Sequence, residues 1–149
     1  MSEIMDHILA RRSIRRFTDE PVTDEEITTI LAAAVQAPSG GNIQPYQFVV
    51  VTDADRRAAI GELYREAYDR YEPAVLALFP PFDDAEAQRH HERNWSLSRH
   101  LAESMGTVPA LVLVLVPRIT MTVVDDDGEM DVGTVYASVF PAVQNLILA

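Results

Sequence analysis

Residues 38–52 read PSGGNIQPYQFVVVT, and the order of parts around them sets the fold. The first half is turn material: proline, serine, two glycines and asparagine. The second half, Tyr46–Thr52, is β-branched and aromatic, which predicts a strand. Upstream, Thr23-Asp-Glu-Glu26 has the form of a capping box opening a helix. Ile27, Ile30, Leu31, Ala34 and Val35 follow at helical spacing, and Pro38 stops the run. Helix, glycine-rich turn and strand therefore succeed one another.

The same reading extends along the chain. Residues 3–12 predict a first helix with Ile4, Ile8 and Leu9 on one face. Asp53 caps a third helix, Ala54 to about Tyr71, with Ile60, Leu63, Ala67 and Tyr71 inward. Residues 72–84 contain three prolines and predict a connection. A fourth helix, Ala85–Met105, is polar along much of its length and is expected to face solvent or cover a site. Pro109–Val116 is apolar on both faces, as a central strand would be. Residues 125–131, DDDGEMD, predict a solvated turn. Val132–Ala149 predicts a helix that is apolar nearly all round, kinked or begun by Pro141. These elements make a mixed α+β domain with helices packed on a sheet. The chain stops at QNLILA, within an apolar run, so it is read as a fragment.

Composition narrows the function. A chain of 149 residues can bury a real core. The formal net charge of −11 argues against nucleic acid or an anionic membrane as main partner. No apolar run reaches the ~20 residues of a membrane-spanning helix. With no cysteine, thiol nucleophiles, disulfides and thiolate metal sites are excluded, and a cytoplasmic setting is expected.

Against that acidity stands RRSIRRF, residues 11–17, with four of the twelve cationic side chains. All twelve are arginine. Arginine offers a planar, permanently charged fork for phosphate or carboxylate. The alternative is that the cations complement the negative end of helix one, at ~0.3–1 kcal/mol each. One or two would suffice for that. In 38–45, Ser39, Asn42 and Gln44 offer polar groups to a heterocycle, and the glycines permit close approach. Alone, that stretch reads equally as a helix-to-strand turn. It is neither a P-loop nor a dinucleotide fingerprint, since it lacks Gly-Lys-Ser/Thr and precedes a strand.

RRSIRRF, a capped helix, and then APSGGNIQPYQFVVV together resemble the FMN-dependent nitroreductase family. YASVFPAVQNLILA is similar to that family's central helix. The resemblance implies an α+β nitroreductase-like fold, with helices around a mixed, mostly antiparallel sheet in a domain-swapped homodimer. Residues 1–149 would be a single domain lacking the family's C-terminal part. It further implies FMN at the subunit interface and NADH or NADPH as donor. The acceptor would be a nitroaromatic, quinone or similar electron-poor molecule, reduced through flavin N5. By motif, Arg11, Arg12 and Ser13 would hold the phosphate and ribityl chain, with Arg15 at the pyrimidine edge supporting negative charge on the ring. Pro38, Ser39, Gly40, Asn42 and Gln44 would touch the isoalloxazine from the partner. Arg16 would point away. No side chain acts as nucleophile and no metal is needed. Other outcomes on the same motifs are a dehalogenating or flavin-cleaving relative, or a non-catalytic flavin- or anion-binding module.

Further candidates read less sharply. His90, His91 and His100 lack metal-ligand spacing. Trp95, Tyr64, Tyr68 and Phe82 are expected in core or interface before an acceptor pocket. Gln144 and Asn145 are expected to make structural hydrogen bonds.

Overall fold

The computed structural model describes residues 3–79, 81–118, 122–131 and 135–149. The chain forms two compact units. One contains the described residues up to Arg11, then Val22–Val50, then those from Val112 onward. The other contains Arg12–Pro21 and Val51–Leu111.

In the first unit, α1 spans Glu3–Ala10 and buries none of its residues; Ile4, Met5, Ile8 and Leu9 are exposed. Helix α2, Asp24–Val35, opens on the expected capping box. The Thr23 backbone N–H donates to Glu26 Oε2 at 2.7 Å, and the Glu26 N–H donates to Thr23 Oγ1 at 3.2 Å. The Thr23 hydroxyl also donates to Glu26 Oε2 at 2.8 Å, and the two bonds that this oxygen accepts, from the backbone first and the hydroxyl second, hold the Glu26 carboxyl below its ordinary range. Helix α2 turns Ile27 and Ala34 inward and packs on α5, Val135–Leu148. Asn145 Nδ2 donates to the Ala33 carbonyl at 3.2 Å, a second bond to an end-of-helix acceptor that also receives the Gln36 N–H. Strand β1, Gln47–Val51, pairs with β2, Leu111–Leu115. Ala37, Tyr46, Val139 and Ala142 form the core, with Phe48, Val114, Val116 and Val143 against it.

Three expectations change in this unit. The acidic stretch is a hairpin as well as a turn. Strand β3, Thr122–Asp125, pairs antiparallel with β4, Gly128–Asp131, and only Asp126 and Asp127 are unpaired. Gly128, at φ 128°, takes a backbone angle that side-chain-bearing residues avoid, and it lets the second strand start there. Strand β2 has one neighbour among the described strands, so it is not central there. Helix α5 runs through Pro141 and is sided: Val139 and Ala142 are buried, whereas Tyr136 and Phe140 are exposed. Positions 132–134 of the expected helix lie outside the described residues.

In the second unit, α3 runs Ala54–Leu76 from the Asp53 cap, and α4 runs Ala85–Ser104 from the Asp84 cap. Helix α3 is longer than expected because Pro73 falls in its last turn. There the proline removes the bond to the Asp69 carbonyl and crowds it, yet the helix closes one turn later, with Ala77 N–H donating to the Pro73 carbonyl at 3.2 Å. Its inward face also differs. Gly61 and Tyr68 are buried, whereas Leu63 and Tyr71 are exposed. The cause is close backbone packing. A Cβ on Gly61 would lie 2.5 Å from the Cα and N of Gly106, in the short turn Met105–Thr107. Two glycines let that turn sit directly on α3. Arg57, one turn earlier, donates to the Thr52 and Val108 carbonyls and ties both segments to the same face.

Candidate functional site

The turn after α2 is wound more tightly than a plain connection. Gly41, Asn42 and Gln44 lie at φ of 57°, 55° and 48°. Asparagine tolerates this left-handed region, but for glutamine it costs roughly 1–2 kcal/mol. Local bonds hold it. The Gln44 N–H donates to Ser39 Oγ at 3.1 Å, and the Asn42 and Ile43 N–H groups donate to the Ser39 and Gly40 carbonyls at 3.0 and 3.1 Å. The Gly40 N–H donates to Ser138 Oγ on α5 at 3.2 Å. This closure leaves the Asn42 and Gln44 side chains exposed, with no hydrogen-bond partner among the described residues. A Cβ on Gly40 would meet nothing within 4 Å, so the space above it is open. Pro38 is exposed and Ser39 half-buried.

Ser138 is the residue that sequence reasoning missed. It is 9% exposed and anchors the turn through one hydroxyl. A serine inside an otherwise apolar helix was the signal, because a buried hydroxyl needs a partner.

RRSIRRF divides between the units. Arg11 closes α1, its N–H donating to the His7 carbonyl at 3.1 Å, and belongs to the first unit; Arg12, Ser13, Arg15 and Arg16 belong to the second. Arg12, Ser13 and Arg16 are exposed and Arg15 is half-buried. Arg15 Nη1 donates to the Ser13 carbonyl at 3.3 Å.

Arg15 also lines a cavity of about 660 Å³ with Tyr64, Tyr68, Tyr71, Asn94 and Trp95. The rings form a ladder across α3 and α4: Tyr64–Tyr68 at 6.4 Å, Tyr68–Tyr71 at 6.0 Å and Tyr71–Trp95 at 6.2 Å between centroids. Tyr68 Oη donates to Glu72 at 3.2 Å, and the Arg99 guanidinium lies 4.8 Å over the Tyr68 ring while pairing with Asp69 and Glu72. Burial first, then the Glu72 charge, pushes the Tyr68 phenol up to about 12. Those same carboxylates raise Arg99 further. Of the four aromatic residues singled out in the sequence, Tyr64, Tyr68 and Trp95 meet here. Phe82 lies 5.2 Å from His91, whose ring is 6.1 Å from Trp95. His90 lies 3.3 Å from the Asn94 amide nitrogen. Among the described residues no three His, Asp or Glu side chains are grouped to hold a metal, and no helix is long and apolar enough to cross a membrane.

The first unit thus carries the strained amide-bearing turn, and the second the aromatic cavity with most of the cationic segment. The chain belongs to the Nitroreductase family, whose model matches residues 8–149. It is 42% identical over 78 residues to an NADH dehydrogenase of Thermus thermophilus, spanning 52% of this chain and 38% of that protein. It is 46% identical over 70 residues to the 5,6-dimethylbenzimidazole synthase of Rhodospirillum rubrum, spanning 47% and 31%. In structure it is similar to a Desulfovibrio desulfuricans protein solved with FMN and assigned to the nitroreductases. That match has a TM-score of 0.57 at 27% identity and covers 99% of this chain and 62% of the other. The chain thus spans less than two thirds of these proteins' lengths.

Proposed function

We propose that the chain is the FMN-holding part of a homodimeric oxidoreductase. It would take electrons from NADH or NADPH and pass them to a nitroaromatic, quinone or similar electron-poor acceptor in the cytoplasm. The observation that carries the reading is the 38–44 turn. Its backbone strain is spent on presenting two carboxamides, and such strain is retained where it serves a site. The donor set fits FMN. Amides that both donate and accept suit the edges of a flavin ring, and guanidinium groups suit its phosphate.

In this reading Arg11, Arg12 and Ser13 hold the phosphate and ribityl chain. Arg15 places fixed positive charge at the ring's pyrimidine edge, stabilising negative charge there. Pro38, Ser39, Gly40, Asn42 and Gln44 approach the ring from a second copy of the chain. Bound FMN supplies the hydride chemistry, so no protein nucleophile is required. The exposed apolar residues of α1, together with Tyr136 and Phe140 of α5, are surface that such a dimer would cover.

Arg11→Ala and Ser13→Ala test the placement. A charge-assisted phosphate contact contributes ~1.5–3 kcal/mol. Arg11→Ala should therefore weaken FMN binding roughly ten- to a hundred-fold, and Ser13→Ala should weaken it by less. Titration of each variant with FMN reads the effect. Unchanged affinity in both contradicts the assignment.

A further inference from the structure

Ser138 of α5 is 9% exposed, and its Oγ accepts the N–H of Gly40, 98 positions away in the chain, at 3.2 Å. We propose that Ser138 is a positioning residue for the flavin ring: its hydroxyl aims the 38–44 turn at the ring without itself touching the cofactor. This rests on the function proposed above for the identity of the ligand, but not for the hold on the turn.

The turn begins on two adjacent glycines, Gly40 and Gly41, which have the widest backbone freedom of any residue. Packing does not hold Gly40, since a Cβ there would meet nothing within 4 Å. The bonds inside the turn set its curvature: Ser39 Oγ and the Ser39 and Gly40 carbonyls take the Gln44, Asn42 and Ile43 N–H groups. They cannot set its direction, because each joins two residues of the same turn. Among the described residues, the bond from Gly40 to Ser138 is the turn's one hydrogen bond to another element. Its far end is firm. Val139 and Ala142 of α5 lie in the core with Ala37 and Tyr46, which flank the turn. Asn145 ties the same helix to the end of α2. Without the hydroxyl the turn keeps its curvature and loses its direction. A flavin then binds only the fraction of molecules whose turn is correctly aimed, and its apparent affinity falls by that fraction.

The test titrates the full-length gene product with FMN and with riboflavin, which has the ring and ribityl chain but no phosphate. Ser138→Ala should weaken both flavins by the same factor, about three- to ten-fold, as the loss of one neutral hydrogen bond would. Ser138→Thr, which keeps the hydroxyl, should stay within about two-fold of the parent for both. Arg11→Ala should weaken FMN and leave riboflavin unchanged, which separates the ring from the phosphate. A Ser138→Ala variant that binds both flavins like the parent overturns the proposal, even if its unfolding midpoint falls. So does a loss confined to FMN, or a Ser138→Thr variant as weak as Ser138→Ala. A second readout needs no flavin: hydrogen exchange at the Gly40 amide, followed by NMR, should be faster in Ser138→Ala. Unchanged exchange overturns the proposal. If the parent binds neither flavin, the function proposed above fails, and the exchange measurement alone decides whether Ser138 holds the turn.

Discussion

At Gly61 a hydrogen atom in place of a side chain decides which face of α3 turns inward. An added methyl would meet the backbone of Gly106 at 2.5 Å, and backbone cannot swing aside. Gly61→Ala should therefore cost about 2–3 kcal/mol, within the range of overpacked cores. Gly40→Ala, which meets nothing within 4 Å, should cost under about 0.5 kcal/mol. Chemical denaturation of the two variants measures the contrast, and similar losses would contradict the packing account. The difference also explains what was legible at this scale. Thr23 and Glu26 were readable because a capping box is complete within four residues. Gly61 and Gly106 were not, because their meeting depends on how the chain returns. Gln44 shows a third case: its left-handed backbone is set by Ser39 and the turn, and no local preference of glutamine predicts it.

Helices α3 and α4 are joined by charge as well as by rings. Arg99 bridges Asp69 and Glu72, and Glu72 also accepts from Tyr68. The phenol's pKa is raised from its ordinary 10.0 to about 12, so the folded state holds that proton more tightly than the unfolded chain. Its contribution to stability is complete below pH 10 and is lost as pH rises through about 12. A spectrophotometric tyrosine titration should show a late step near 12, and Glu72→Gln should move it toward 10. A titration without a late step, or one that Glu72→Gln leaves in place, would contradict the arrangement. Element positions were mostly legible, since hydrophobic period and caps are local. The errors have physical causes. Pro73 was read as part of a connection, yet α3 runs through it and ends only at Leu76. Acidic residues were read as pure turn, although pairing across Asp125↔Gly128 needs only a two-residue connection. Helix α5 was read as apolar all round, whereas only the side bearing Ser138, Val139 and Ala142 is buried.

For the molecule as a whole, the family was legible from two short stretches because each carries unusual chemistry: clustered arginine in an acidic chain, and a polar glycine-rich turn before a strand. The aromatic cavity was not. Its residues come from two helices, and their ring contacts arise only when α3 and α4 pack. The central claim is that this chain holds FMN and uses it. Its most direct test is the visible spectrum of the full-length gene product, saturated with FMN, desalted and then mixed with NADH or NADPH without oxygen. The account predicts a yellow protein that bleaches with one of the nucleotides. A protein that stays colourless after FMN saturation and desalting, or stays yellow with both nucleotides, would contradict it.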